Sequence, residues 1–212
     1  MIEKLRLAMR SLASCTAGVA MIEFAIAIPT IVFVLLSGLE LTNLVVTHMR
    51  INQIAMTVAD NAGRVRSGID EQNIYEVFAG AELIGRPFNF PANGRVILSS
   101  LQPNEQTGSN NGQMINWQRC FGSLPGGSAY GVEGTGRTNG TLKDGMGPPA
   151  NRITAAPGTA VMFVEVNYRY RPIIFPDFNP RITNLRYEAA FNVRERTNQN
   201  ITNTQNLPRR LC

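Results

Sequence analysis

Residues 19–39 form an apolar run of 21 residues, in which only Glu23, Thr30 and Ser37 are polar or charged. An α-helix of that length rises about 31 Å, which matches the thickness of the hydrocarbon core of a bilayer. The surface helices of globular domains are instead amphipathic, with apolar residues on one side. The run therefore predicts a membrane-spanning helix over residues 19–39.

Basic residues lie unevenly around this run. Lys4, Arg6 and Arg10 precede it, whereas the next basic residue after it is Arg50. Because positive charge favours the cytoplasmic side, we expect the first residues in the cytoplasm and the rest of the chain outside. A secretory signal peptide cut near Ser37–Gly38 is the alternative. It is disfavoured by the length of the run, by the weakly apolar stretch before it and by the acid inside it.

Composition argues against most enzyme classes. The chain has one histidine, His48, and three cysteines, whereas a Cys/His zinc site needs four ligands and a Ser-His-Asp triad would have to use His48. The net charge of +5 is spread out, with no basic run longer than two residues, so nucleic acid is not an expected partner. The glycines match neither nucleotide-binding pattern. We expect no catalysis, no metal and no cofactor, and an ordinary solvated or capped His48.

Helical periodicity continues beyond the apolar run. Steps of three and four residues predict one helix from about Val19 to Arg66, ended by Ser67–Gly68. Its outer part, residues 40–68, is expected to be an amphipathic stalk. The apolar face of this stalk would comprise Leu41, Leu44, Val45, Ile51, Ile54, Ala55, Val58, Ala59, Ala62 and Val65. A shorter helix is predicted over Asp70–Leu83, stopped by Gly85-Arg86-Pro87.

Strand patterns follow the second helix. Residues 95–101 and 114–121 are β-prone, while residues 160–170 and 185–193 alternate between apolar and polar positions. The alternation predicts paired antiparallel strands with one buried and one wet face. Residues 104–158, which include the strand segment 114–121, contain twelve glycines and indicate long loops. These loops are either a disordered excursion or a surface loop offered to a partner. The expected fold class is α+β, a long helix followed by a small antiparallel sheet.

Glu23 needs an explanation, because a carboxylate inside a membrane helix costs about 2.5–3.5 kcal/mol on insertion scales. It lies about one turn into the run, so it could snorkel to the head groups. A sharper interpretation begins at Gly18. The stretch Gly-Val-Ala-Met-Ile-Glu-Phe-Ala over residues 18–25, followed by Ile-Ala-Ile-Pro29, resembles the start of TadE-like minor pilins (pseudopilins) of the tight-adherence (Tad/Flp) type IV pilus system.

The resemblance implies a function for each of these residues. A prepilin peptidase would cut between Gly18 and Val19 on the cytoplasmic side, and Glu23, beside Phe24, would then be the fifth residue and guide assembly. Phe24 replaces the tyrosine of the major Flp pilins, and the chain is much longer than they are, which favours a minor pilin. Pro29 is either a tolerated proline or a flex point of the helix.

The family also implies the partners and the location of the protein. Besides the peptidase, these are other Tad pilins and minor pilins, an inner-membrane assembly platform, a cytoplasmic ATPase and the membrane lipid. The protein would be a single-pass bacterial inner-membrane protein with a periplasmic C-terminal domain, contributing to pilus assembly and surface adhesion. The resulting division is a cleaved basic leader 1–18, a membrane helix 19–39, a stalk 40–68 and an exported pilin-like domain 69–212.

Cleavage at Gly18 would remove Cys15 with the leader. Cys120 and Cys212 would then both lie on the oxidising side, where a disulfide between them closes a loop of about 90 residues. Such a bond is worth roughly 4–5 kcal/mol in the chain-entropy model.

Two alternatives to the pilin remain. One is an uncleaved single-span envelope scaffold with a periplasmic interaction domain. The other is an anchored enzyme or ligand-binding domain that uses Tyr168, Arg169, Tyr170 and Arg171, although such residues on a strand more often form its core and solvent faces.

Overall fold

A computed structural model of the chain describes residues 16–174 and 183–212. Its first element, helix α1, runs over Thr16–Arg64, 49 residues that rise about 74 Å. The predicted helix over residues 19–66 is thus present in one piece, with Pro29 inside it. Helix α2 (Glu71–Gly85) matches the second predicted helix and is capped at its start by the side chain of Asp70. The helix ends at Gly85, in the Gly85-Arg86-Pro87 stretch predicted to stop it, and a 3₁₀ turn (Arg86–Phe88) follows directly.

Four antiparallel strands form the main sheet: β2 (Gly94–Pro103), β3 (Gln113–Phe121), β4 (Val161–Arg169) and β5 (Asn184–Asn192). Their order in the sheet is β3-β2-β4-β5. Each of the four predicted strand segments corresponds to one of them, and the antiparallel pairing of the last two is confirmed, with Val161 opposite Asn192 and Arg169 opposite Asn184. A short helix, α3 (Phe90–Asn93), leads into the sheet.

The inner face of the sheet packs against the second half of α1 and against α2. Small residues let α1 approach closely, and a Cβ added at Gly63 would lie 3.2 Å from the carbonyl oxygen of Asn192. A continuous cluster of buried apolar side chains lies between these layers, and burial of such area is the main favourable contribution to folding. Its buried members include Ile51, Ile54, Ala55, Val58, Ala59, Ala62, Phe78, Val96, Leu98, Trp117, Val164 and Val166.

The outer face of the sheet is covered, so the expectation of a wet face is wrong for β4. The glycine-rich segment between β3 and β4 folds over it and closes a second apolar cluster, formed by Leu101, Ile115, Leu142, Met146, Ala155, Val161 and Phe163. This segment is therefore a folded cover of the sheet rather than an excursion. At Gly145, φ is +82° and an added Cβ would lie 2.0 Å from the carbonyl oxygen of Ile153, so this turn requires glycine.

Glu165 fixes the cover to the sheet from a fully buried position on β4. Its carboxylate accepts a hydrogen bond from the Ala129 backbone N–H at 2.9 Å and another from the Ser128 hydroxyl. Arg186 of β5 completes the arrangement with an ion pair of 2.8 Å. Burial raises the pKa of Glu165, while these donors and Arg186 act against that shift.

The C-terminal residues contact two parts of the domain, the strand that precedes α2 and strand β3. Two-residue strands β1 (Ile69–Asp70) and β6 (Ile201–Thr202) pair in parallel, an element that the sequence patterns did not predict. The sulfur atoms of Cys120 and Cys212 are bonded, with their Cα atoms 5.0 Å apart and a sequence separation of 92. These are the two cysteines that the sequence analysis paired.

Candidate membrane and assembly segment

The first half of α1 stands clear of the domain. From residue 18 to residue 39 every side chain is exposed except that of Ser37, which is half-buried. Within the described residues, α1 is the one helix that is long and apolar enough to cross a membrane, with a mean hydropathy of 2.5 over its most apolar window and none of that window buried. Burial in a protein core therefore does not account for its apolar surface, which needs another apolar environment.

Gly18, Val19, Glu23 and Phe24 occupy the first turns of this free segment. Val19 and Glu23 are four residues apart, which places them on the same side of the helix, one turn from each other. All four residues are exposed, and nothing lies within 4 Å of a Cβ added at Gly18. Among the described residues, none pairs with the Glu23 carboxylate. The segment thus presents the predicted cleavage bond and the acid together, open to another molecule.

Pro29 lies in the middle of the free segment, and helical structure continues on both sides of it. Proline has no N–H, so the carbonyl of Ala25 loses its usual intrahelical donor. The neighbouring carbonyl, that of Ile26, accepts a hydrogen bond from the Thr30 hydroxyl at 3.2 Å.

The domain begins at Glu40, where the predicted stalk face needs a correction. Leu41 and Val45, expected on the packed face, are 61% and 49% exposed. Leu44, also expected on that face, is half-buried and packs against the core, while the other residues that face the domain in these turns are polar: Glu40, Asn43 and Thr47. From Ile51 onwards the predicted face is the buried one, down to Ala62. The predicted apolar face is wrong at Leu41 and Val45, because the domain contacts this part of α1 mainly through hydrogen bonds and these two side chains lie on the opposite side of the helix.

Glu40 is the centre of these hydrogen bonds and is 3% exposed. One carboxylate oxygen accepts from the Tyr170 hydroxyl, and the other accepts from the backbone N–H groups of Ile173 and Ile174 at 2.9 and 2.7 Å. The side-chain amide of Asn43 donates to the Tyr170 oxygen at 2.8 Å. Burial, and next the hydrogen bond to Glu40, raises the pKa of Tyr170 to about 12. These hydrogen bonds fix the segment after β4 to α1 at the end of the domain nearest the free half of the helix, here called the foot of the domain.

Tyr168, Arg169, Tyr170 and Arg171 do not converge on a common site. Both tyrosines are buried on the inner side of the sheet, where the Tyr168 hydroxyl donates to the Phe88 carbonyl at 2.8 Å. The two arginines are exposed. The strand thus has the alternating core and solvent faces that such a pattern usually indicates.

His48, expected to be an ordinary solvated or capped side chain, is not fully solvated. It is half-buried, and its Nδ1 atom lies 2.8 Å from the Tyr187 hydroxyl oxygen on β5. The two rings meet edge to face, with centroids 5.9 Å apart. His48 thus joins α1 to the sheet.

Sequence reasoning missed Glu40, because no local signal indicates its role. Glutamate directly after an apolar run reads as the point where the chain enters water, and nothing local reveals that its partners lie about 130 residues away. Comparison of the chain with protein-family models, with curated proteins and with solved structures finds no match in any of the three.

Proposed function

We propose that the chain is the precursor of a TadE-like minor pilin, a structural protein of a Tad-type pilus that supports pilus assembly and surface adhesion. The observation that carries the proposal is the free half of α1. A segment of membrane-spanning length extends from a folded α+β domain with its side chains unburied, and it starts with a Gly-Val pair followed at one turn by a single acid. An N-terminal helix that is half free and half packed suits a subunit that moves from a bilayer into a filament.

Glu23 would guide assembly through charge pairing. Cleavage after Gly18 gives Val19 a new amine, and drawing the helix into a filament removes water from both that amine and the Glu23 carboxylate. Each buried charge is costly without a partner. A staggered neighbouring subunit can bring its Val19 amine to Glu23, which satisfies both groups and sets the register between subunits.

In this account the protein is single-pass in the bacterial inner membrane, with its first residues in the cytoplasm and its domain in the periplasm. A prepilin peptidase removes the leader, and other Tad pilins, an assembly platform and membrane lipid are the partners. The competing account keeps the leader and uses the same helix as the permanent anchor of an envelope scaffold. The two differ in whether the Gly18–Val19 bond is cut.

A pair of matched glycine variants separates these accounts in cells that contain the peptidase. Gly18 and Gly38 are both exposed on α1, and nothing lies within 4 Å of a Cβ added at either. Gly18→Val should leave the leader attached, while Gly38→Val should be processed like the natural chain. Equal masses for all three proteins, each with its leader, would contradict the proposal and favour the scaffold.

Glu23 is tested in the same cells. Glu23→Ala should be processed but should fail to enter purified pili, whereas Glu23→Asp keeps a carboxylate and should retain part of the incorporation. Normal incorporation of Glu23→Ala would refute the assembly role.

A further inference from the structure

The foot of the domain carries a surface that the pilin proposal does not use. Residues 169–174, here named the juxtamembrane loop, comprise the last residue of β4 and the five that follow it, and Glu40 ties them to α1. Glu40 is the residue that follows the apolar run 19–39. If that run fills the hydrocarbon core, the juxtamembrane loop lies at the level of the lipid head groups on the outer side.

The apolar side chains at this level are unusually open. Ile173 is 74% exposed, and Leu39 and Val46 of α1 are 63% and 40% exposed. Between the loop and the helix runs an open groove of about 430 Å³, whose lining is mainly apolar and includes Ile174. This surface continues directly from the apolar surface of the free helix.

Positive charge lies beside the same surface. Along the sequence, Arg50 is the first basic residue after the apolar run. Arg171, however, lies between Tyr170 and Ile173, which both hydrogen-bond to Glu40 where α1 enters the domain. Arg169 and Arg171 are both exposed. Glu40, which the structure describes at this level, is buried and accepts hydrogen bonds from the loop itself. A guanidinium group suits phosphate, because its N–H groups can bind two oxygens at once.

We propose that the juxtamembrane loop binds anionic phospholipid head groups of the outer leaflet, with Ile173 in the interface and Arg169 and Arg171 on the phosphates. The inference rests on the membrane location of α1 in the proposed function. It gives the domain a second attachment to the bilayer besides the helix and so sets the orientation of the domain over the membrane. Departure of the subunit from the bilayer would then require this contact to break.

Tryptophan fluorescence of the full chain in nanodiscs tests the contact. Ile173→Trp places a reporter in the loop, and Val132→Trp is the matched control. Val132 is 67% exposed and lies near the far end of the sheet, since Gly134 donates to the Ile115 carbonyl and Ile115 pairs with Leu101. The buried Trp117 also fluoresces, and its signal is measured in the unsubstituted chain and subtracted as background. Lipids brominated on their acyl chains should quench the reporter at residue 173 and not the one at residue 132.

Charge is tested by changing the lipid and the arginines. Adding phosphatidylglycerol to phosphatidylcholine nanodiscs should increase quenching at residue 173, and Arg169→Gln with Arg171→Gln should lower the docked-to-free ratio by about fivefold for each arginine. Equal quenching at both reporters, no quenching at residue 173, or quenching indifferent to the lipid charge and to the arginines would overturn the inference. A chain that fails to enter nanodiscs at all would instead refute the membrane location on which both proposals rest.

Discussion

Removing the carboxylate of Glu40 should release the juxtamembrane loop from α1 without unfolding the domain. Glu40→Ala leaves the N–H groups of Ile173 and Ile174 without their acceptor and leaves the Tyr170 hydroxyl only the long contact of 3.5 Å to the backbone carbonyl of residue 40. The two N–H groups are only partly buried and regain water when the loop moves. The Tyr170 side chain, which is 4% exposed, cannot do so in place.

The free-energy cost of Glu40→Ala depends on which of these groups regain a hydrogen-bond partner from water. A hydrogen bond to a charged group contributes about 1.5–3 kcal/mol, and solvation recovers most of the loss at the two backbone groups. We therefore expect about 2 kcal/mol, dominated by the Tyr170 bond. Opening of the loop becomes about 30-fold more frequent at that cost.

Hydrogen–deuterium exchange of the full chain in detergent micelles measures this opening. Exchange at Ile173 and Ile174 should accelerate about 30-fold in Glu40→Ala, and the core strands should be unaffected. Leu41→Ala is the control, because Leu41 is the next residue and is 61% exposed. Tyr170→Phe should accelerate the same amides and should be non-additive with Glu40→Ala. Unchanged exchange in Glu40→Ala, or an equal effect of Leu41→Ala, would refute the role assigned to Glu40.

Three further predictions concern the stability of the domain. Tyr170 stays protonated in the folded chain up to a pKa of about 12, above its ordinary value near 10, so stability should be full below about pH 10 and fall towards pH 12; Tyr170→Phe should remove that part of the alkaline decrease in Tm. Replacing Cys120 and Cys212 by serine should lower the free energy of unfolding by roughly 4 kcal/mol, measured by denaturant titration; a loss below 1 kcal/mol would contradict a native bond across 92 residues. Gly145→Ala should expose the cover of the sheet to limited proteolysis, whereas Gly127→Ala, in open space, should not; equal cleavage would contradict the close approach at Ile153.

The elements of this fold could be predicted from the sequence because their signals are local. The periodicity of residues 19–66 and the alternation around Val164 and Phe191 depend on near neighbours along the chain, and the helix and the two strands that they predict are present. The disulfide could be predicted because cleavage of the leader leaves two cysteines, and both would lie on the oxidising side of the membrane. The two-residue pair of β1 and β6 carries too few residues for any pattern.

Two features could not be predicted, each for a physical reason. Leu41 and Val45 read as core residues because hydrophobicity alone does not distinguish a side chain that faces a domain from one that faces away from it. The cover over the outer face depends on contacts between distant residues, such as Glu165 with Ala129, and on positive φ angles at glycines. Composition identifies such a segment as rich in loops but not as folded.

The most direct test of the central proposal is the N-terminal sequence and intact mass of the protein taken from its native membrane. The pilin account predicts a chain that starts at Val19, with the Cys120–Cys212 bond making it two hydrogens lighter before reduction than after. A chain that still carries the residues before Gly18 would contradict processing and favour the anchored scaffold. A chain that starts near Leu39 would show that the apolar run is a signal peptide.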